Sequence, residues 1–427
     1  MIVALLLLAL ALLGAPLFSL IAASALLGFW REEIDLSVVA IEVYRVVDMQ
    51  ALIAIPLFTF AGYVLGESRA PDRLVRATRA LLGWLRGGLG IVSLASCALF
   101  TAFTGASGVT IVALGALLYP ALLRADYPER FSLGLVTTSG SLGLLFAPAL
   151  PLILYGVVAQ QMDLDQPVRI DDVFAAGLLP GLLMVAVLSL WSMWIHRGSR
   201  ERAEPFSWRE AGAALRESSW EIPLPIVVLG GIYGGFFALS EAAAVTAFYV
   251  LLVEVGIRRE IPLSKLPEVM RESMVLVGAI LIILGVSLAS TNYLIDTEVP
   301  TRLFEAIRSQ IDSRLTFLIV LNLFLLVLGT MLDIFSALVI VVPIILPVAV
   351  AYGIHPVHLG IVFLANMQLG YITPPVGMNL FIASYRFERP MIEVYRATVP
   401  FFVILLGTVL VITYWPALSL TLVGVGE

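Results

Sequence analysis

The chain is poor in charge: only 13% of its 427 residues are Asp, Glu, Lys or Arg, against about 25% in a soluble domain. With 60% hydrophobic residues and a mean hydropathy of +1.01, this excludes a water-soluble globular fold. Cysteine is nearly absent. The single Cys97 excludes an internal disulfide and any cysteine metal cluster. Three histidines, His196, His355 and His358, are too few for a haem or zinc enzyme of the usual kinds. No His/Glu/Asp cluster with metal spacing and no Ser–His pair stands inside an apolar run, which disfavours an intramembrane enzyme. The apolar runs lack the alternation of barrel strands and are continuous and Leu/Ala-rich, so they predict helices. The first thirty residues lack a basic n-region and an A-x-A site, and read as retained spans rather than a signal peptide. The net charge of −6 resides in loops and says little.

What is present is a set of interrupted helices. Thr373-Pro374-Pro375-Val376-Gly377-Met378-Asn379 lies deep in an apolar run, where two consecutive prolines break a helix. Some 40 residues earlier, Gly329-Thr330-Met331-Leu332-Asp333 interrupts another run with a carboxylate. Broken backbone at membrane depth is tolerated only where protein buries it or a watery cavity meets it. Two such breaks point to a substrate or ion site at the midplane of a transporter, with Thr373, Asn379, Asn366 and freed carbonyls as oxygen ligands.

Taken in order, residues 2–29 form two short helices cut at Gly14-Ala15-Pro16, and residues 51–66 span. Arg69, Arg73, Arg76, Arg79 and Arg86 follow and mark the inside, because Lys and Arg favour cytoplasmic loops. Residues 88–123 form a re-entrant hairpin with its tip at Thr104-Gly105-Ala106-Ser107-Gly108. Residues 131–159 cross to an acidic outer loop (Asp163, Asp165, Asp171, Asp172), broken at 147–151. Residues 173–195 return to Arg197, Arg200, Arg202, Arg209 and Arg216 inside. In the second half, 222–239, 241–257 and 273–291 are helices, 315–351 a hairpin entering from outside, 357–385 a broken helix and 397–424 the last span.

The halves repeat. With Pro120 placed on Pro347, Leu142-Gly143 falls on Leu369-Gly370 and Pro148 on Pro375 without a gap. Because loop charges put the first hairpin inside and the second outside, this is an inverted-topology repeat, residues 1–216 and 217–427, with the shared site between halves. The expected fold is an all-α polytopic membrane protein of two inverted-topology repeats, each holding a re-entrant hairpin and a broken helix.

Several of these stretches resemble the large membrane subunit of tripartite ATP-independent periplasmic (TRAP) transporters. They are Ile55-Pro56-Leu57-Phe58, Arg86-Gly87-Gly88-Leu89, Thr104-Gly105-Ala106-Ser107-Gly108-Val109-Thr110 with Gly115 and Pro120, Ser240-Glu241-Ala242-Ala243, and the run from Gly329 through Asp333, Pro343, Pro347 and Gly370 to Leu380. The likeness covers essentially the whole chain. It implies a secondary transporter of the bacterial inner membrane, moving as an elevator and driven by a sodium gradient. Such a transporter takes an organic acid from a periplasmic substrate-binding protein and works beside a small TRAP membrane subunit, here a separate protein. No cofactor is implied beyond sodium as coupling ion. Ala147 and Ala149 stand where the family usually has Pro and Ser, and Thr104 and Ala106 where it has serines, which leaves the first ion site more dependent on carbonyls.

On this reading Thr104, Ser107, Thr373, Pro374 and Asn379 bind substrate. Sodium is held at Gly105, Gly108, Gly143, Gly329, Thr330, Asp333, Asn366, Gly370 and Gly377. The substrate carboxylate is bound by half-helix N-termini, since no arginine lies mid-span. Glu241 is expected to favour a helix begun by a Ser240 cap, and His355 and His358 to be solvated in an outer loop. The rivals are a carrier of the same fold that works without a binding protein, and a channel, which suits two opposed hairpins less well than alternating access.

Overall fold

A bilayer offers no partners to backbone N–H and C=O groups, so long apolar runs must satisfy their own, and a helix does this within one segment. The computed structural model describes residues 7, 9–10, 13–85, 87–162, 164, 166–195 and 206–424, and among these no strand forms. The start of the 2–29 segment, Arg86, Asp163, Asp165, His196, Arg197, Arg200 and Arg202 lie outside the described residues.

The first half runs through α1 (Leu17–Arg31), α2 (Ser37–Asp48), α3 (Ala54–Glu67) and α4 (Ala70–Leu82), which turns 77° from α3. The expected inner hairpin is α5 (Gly88–Thr104) and α6 (Ser107–Arg124). The broken helix is α7 (Glu129–Ser139), a 3-10 turn (Leu142–Leu145) and α8 (Leu150–Gln160), bent by 40°; α9 (Ile170–Ile195) closes the half. In the second half come α10 (Trp208–Glu217), α11 (Pro223–Tyr233) and α12 (Leu239–Leu251), extended by a π turn to Ile257. Then follow α13 (Leu266–Asp296) and α14 (Val299–Arg308). The outer hairpin is α15 (Arg314–Met331) and α16 (Ile334–Ala351), the second broken helix α17 (Pro356–Gly370) and α18 (Met378–Arg386), and the chain ends in α19 (Met391–Tyr414) and α20 (Ala417–Leu420). Hairpin and broken helix thus recur in the same order in both halves.

The structure differs from the sequence reading at several points, each with a physical cause. The first break opens at Gly140, well before the prolines, because α7 ends where Gly143 must lie against α5; a Cβ there would stand 2.3 Å from the Ala98 carbonyl oxygen. The long helix α13 exceeds the expected 273–291 at both ends, since its charged first turns continue the helix beyond the apolar window. His358 is buried, not solvated: Pro356 starts α17 at its first turn, and the imidazole Nδ1 lies 2.6 Å from Ser419 Oγ. His355 is the N-cap, its Nδ1 accepting from the Val357 amide at 3.2 Å. Helix α12 is likewise capped at Ala238, with Glu241 reaching back to the Ala238 amide, so Ser240 is not the cap.

Within the second half, a Cβ on Gly370 would stand 2.5 Å from Gly329 Cα, so α15 and α17 touch backbone to backbone there. Between the halves, a Cβ on Gly134 would stand 2.2 Å from the Ala397 carbonyl oxygen, so α7 and α19 pack as closely. Tyr155 of α8 donates its hydroxyl to the Pro356 carbonyl at 2.5 Å. On the arginine-rich side, Arg73, one of the arginines that mark the inside in the sequence, is turned into the protein. It is 4% exposed and meets Glu221, Glu254 and Glu260, with nitrogen–oxygen distances of 2.5–3.1 Å. That cluster fastens α4 to the start of α11 and the π turn after α12.

Candidate functional site

Both hairpin tips face one cavity of about 400 Å³ between α3, α13 and the two breaks. From the inner hairpin come Gly105, Ser107 and Gly108; from the outer come Asp333 and Ser336; Tyr63 and Tyr371 complete the wall. The chain reverses at the inner tip through Gly105, whose φ of +65° falls in the left-handed region that L side chains avoid. Helix α6 then starts behind Ala106 with no side-chain cap. The first amides of a helix have no intrahelical partner, and this end carries the positive pole of the dipole.

The outer tip is built the opposite way. Asp333 is the N-cap of α16, its Oδ1 accepting from the Phe335 and Ser336 amides at 3.0 Å each, while Ser336 Oγ donates to Oδ2. The Ile334 amide donates to the Tyr371 hydroxyl at 2.7 Å. The outer N-terminus is therefore satisfied and carries a carboxylate, whereas the inner one is open. Replacing Asp333 by alanine is expected to cost about 1–2 kcal/mol of stability through the lost cap, read as a lowered unfolding midpoint, whereas asparagine, which can still cap, costs less.

Oxygen atoms gather at the second break. Gly377, at φ +56°, donates its amide to the Thr330 carbonyl at 3.1 Å. A Cβ added there would stand 2.8 Å from the Thr373 carbonyl oxygen and 3.0 Å from that of Tyr371, so three carbonyls surround the glycine. Asn379 begins α18 fully buried, and its Nδ2 donates across the repeats to the Thr137 carbonyl at 3.3 Å. Its Oδ1 has no hydrogen-bond partner, nor have the hydroxyls of Thr104 and Thr138, all buried. Buried polar atoms normally find partners, and these three are oxygens, as a hard cation requires.

Of the expected residues, Gly105, Ser107, Gly108 and Asp333 line the cavity. Thr330, Gly377 and Asn379 lie in the carbonyl-rich layer behind it. The remaining expected residues do not line the cavity. Thr373 returns its hydroxyl to the Leu369 carbonyl at 2.7 Å, as threonine in a helix end often does. Pro374 is exposed on the surface of the chain and does not line the cavity. Asn366 donates to Asn322 Oδ1 at 2.7 Å, which Thr413 also reaches at 3.0 Å, so it joins α15, α17 and α19. Gly143, Gly329 and Gly370 serve close packing. Sequence reasoning missed Thr138, Tyr63 and Tyr371; Thr137-Thr138 just before the first break was the available signal for the first of these.

A helical membrane protein whose two hairpins and two broken helices converge on one cavity is a membrane transporter of the inverted-repeat type. Residues 2–418 match the family described as "Tripartite ATP-independent periplasmic transporter, DctM component", and the chain belongs to that family. It is 33% identical to the C4-dicarboxylate TRAP transporter large permease protein DctM of Rhodobacter capsulatus, over 98% of this chain and 97% of that one. It is 30% identical to the ectoine/5-hydroxyectoine large permease protein UehC of Ruegeria pomeroyi, over 96% and 95%. The isethionate permease DctMQ of Oleidesulfovibrio alaskensis is 31% identical, over 88% of this chain and 59% of the longer relative. Among solved structures, the YdaH transporter of Alcanivorax borkumensis superposes with a TM-score of 0.63 at 14% identity, covering 89% of this chain and 88% of that one, which is a likeness of fold.

Proposed function

We propose that the chain is the large permease subunit of a sodium-driven TRAP transporter of the bacterial inner membrane, importing a small organic acid by an elevator movement. The observation that carries this reading is the asymmetric cavity: an uncapped, electropositive helix start at Ser107 on one side and a self-capped carboxylate at Asp333 on the other. An acid's carboxylate is attracted to the α6 amides and repelled from Asp333, which orients it without a buried arginine. Relatives named for C4-dicarboxylates, isethionate and ectoine have an anionic group in common among their substrates. The carbonyls of Thr330, Tyr371 and Thr373, with Asn379 and Thr138, are suited to the sodium ion as co-substrate. The hairpins and broken helices form the moving part, and α1–α3 with α11–α13 the frame. A separate small membrane subunit pads that frame in the bilayer, and a periplasmic binding protein delivers the acid.

The test is uptake into liposomes holding this chain and its small partner, with the cognate binding protein and an inward sodium gradient. Uptake that falls to background when potassium replaces sodium, and again when the binding protein is left out, is the expected result. Full uptake in potassium would remove the sodium coupling, and full uptake without the binding protein would make this a self-sufficient carrier.

A further inference from the structure

A second cavity, of about 330 Å³, adjoins the first: Tyr63, Gly108, Val109 and Ile382 line both. It leads along α3 and α6 to the arginine-rich side, where Glu67 ends α3 and Glu272 stands on the second turn of α13. The wall of this second cavity includes no Lys or Arg and no polar side chain beyond Tyr63 and these two carboxylates. Two cations border it without lining it: Lys265 is ion-paired with Glu67, and Arg386 donates its Nε to the Val112 carbonyl at 3.2 Å. No ion pair holds Glu272 among the described residues.

We propose that the two cavities are one release route, with Tyr63 at its neck, and that Glu272, the lining carboxylate that no ion pair holds, makes its mouth cation-selective. This rests on the transport reading above and adds a direction to it. A sodium ion leaving the site meets a favourable potential at the mouth. An organic anion on the same side is held at lower local concentration, so a released substrate re-enters slowly. Glu272 is in this sense a specificity-determining residue that touches neither the hairpin tips nor the bound acid.

The potential can be read without transport. A thiol placed at Val109, which lines both cavities, is attacked by membrane-impermeant methanethiosulfonates carrying either a trimethylammonium or a sulfonate group. Cys97, the native thiol, is buried, and the unaltered chain supplies the background. With the full chain and its small partner in vesicles exposing the arginine-rich side, Val109→Cys is expected to favour the cationic reagent about five- to tenfold, relative to a free thiol in solution. Glu272→Gln, which leaves the Glu67–Lys265 pair intact, should bring that ratio to about one, and high salt should compress it. A ratio near one in the unaltered mouth, or one that ignores the glutamine, overturns the proposal. So does absence of labelling at both Val109→Cys and a second reporter, Ala113→Cys, because the route would then be closed. No substrate, sodium gradient or binding protein enters this measurement, so it can fail while sodium-driven uptake stands, and the reverse.

Discussion

Arg73→Met is expected to lower the stability of the folded chain by about 3–5 kcal/mol, because it strands carboxylates in a place water does not reach. The guanidinium is held on every side: Nε donates to Glu221 at 2.8 Å, one terminal nitrogen to Glu260 at 2.5 Å, and the other to both oxygens of Glu254 at 3.1 Å. Arg258 adds a second cation against Glu221 at 3.4 Å, but the group still holds three carboxylates to two guanidiniums. Removing one partner of a buried ion group leaves the others desolvated and unpaired, which costs far more than an intact exposed pair contributes. The cluster also joins parts far apart in sequence: the Arg69 amide donates to Glu260 and Ser218 donates to the Arg73 carbonyl. Thermal unfolding in detergent should show Arg73→Met well below the parent chain. Adding Glu254→Gln and Glu260→Gln to that variant should restore more than half of the loss, since the uncompensated charge goes with them. If the triple variant is no better than Arg73→Met alone, the loss is one of packing and the electrostatic account is wrong.

The same residue marks the limit of what the sequence carried. Arg73 stands among Arg69, Arg76 and Arg79, and a run of arginines reads as a topology signal. Nothing local separates the one that turns inward, because its partners lie some 150 to 190 residues away. Hairpins and breaks were legible because glycine and proline act on their own neighbours. Thr104–Gly108 and Leu332–Asp333 end helices whatever surrounds them, and the 227-residue offset between Pro120 and Pro347 fixed the pairing of the halves. Side-chain roles were legible only where they too were local. Asp333 caps the residues that follow it, and Gly377 needs its own positive φ. The burial of His358 and the bonds of Asn366 were not legible because their partners, Ser419 and Asn322, come from other helices. Thr138 was passed over because a threonine beside a break looks like any helix-capping residue until its hydroxyl proves to have nothing to bind.

That hydroxyl carries the second large effect. Sodium is expected to stabilise the unaltered chain against heat where potassium does not, by about 1.4 kcal/mol when its concentration is about tenfold above Kd. Thr138→Val should lose most of this shift while leaving the sodium-free chain as stable as before or slightly more so. Its Oγ1 has no partner in the protein, and removing an unsatisfied buried group costs no hydrogen bond. Asn379→Leu is different in kind. It loses the sodium shift and also releases the Thr137 carbonyl, so it should cost about 1–3 kcal/mol even without sodium. Asn379→Asp keeps an oxygen and adds a charge, and should retain sodium stabilisation. A Thr138→Val chain that still responds fully to sodium would place the ion elsewhere, with the carbonyls around Gly377 as the next oxygen-rich layer to test. If instead both variants lose the shift but only Asn379→Leu is weakened without sodium, one residue pair serves two purposes at the first break. The asparagine holds the repeats together through its nitrogen and offers its oxygen, with the threonine's, to the ion.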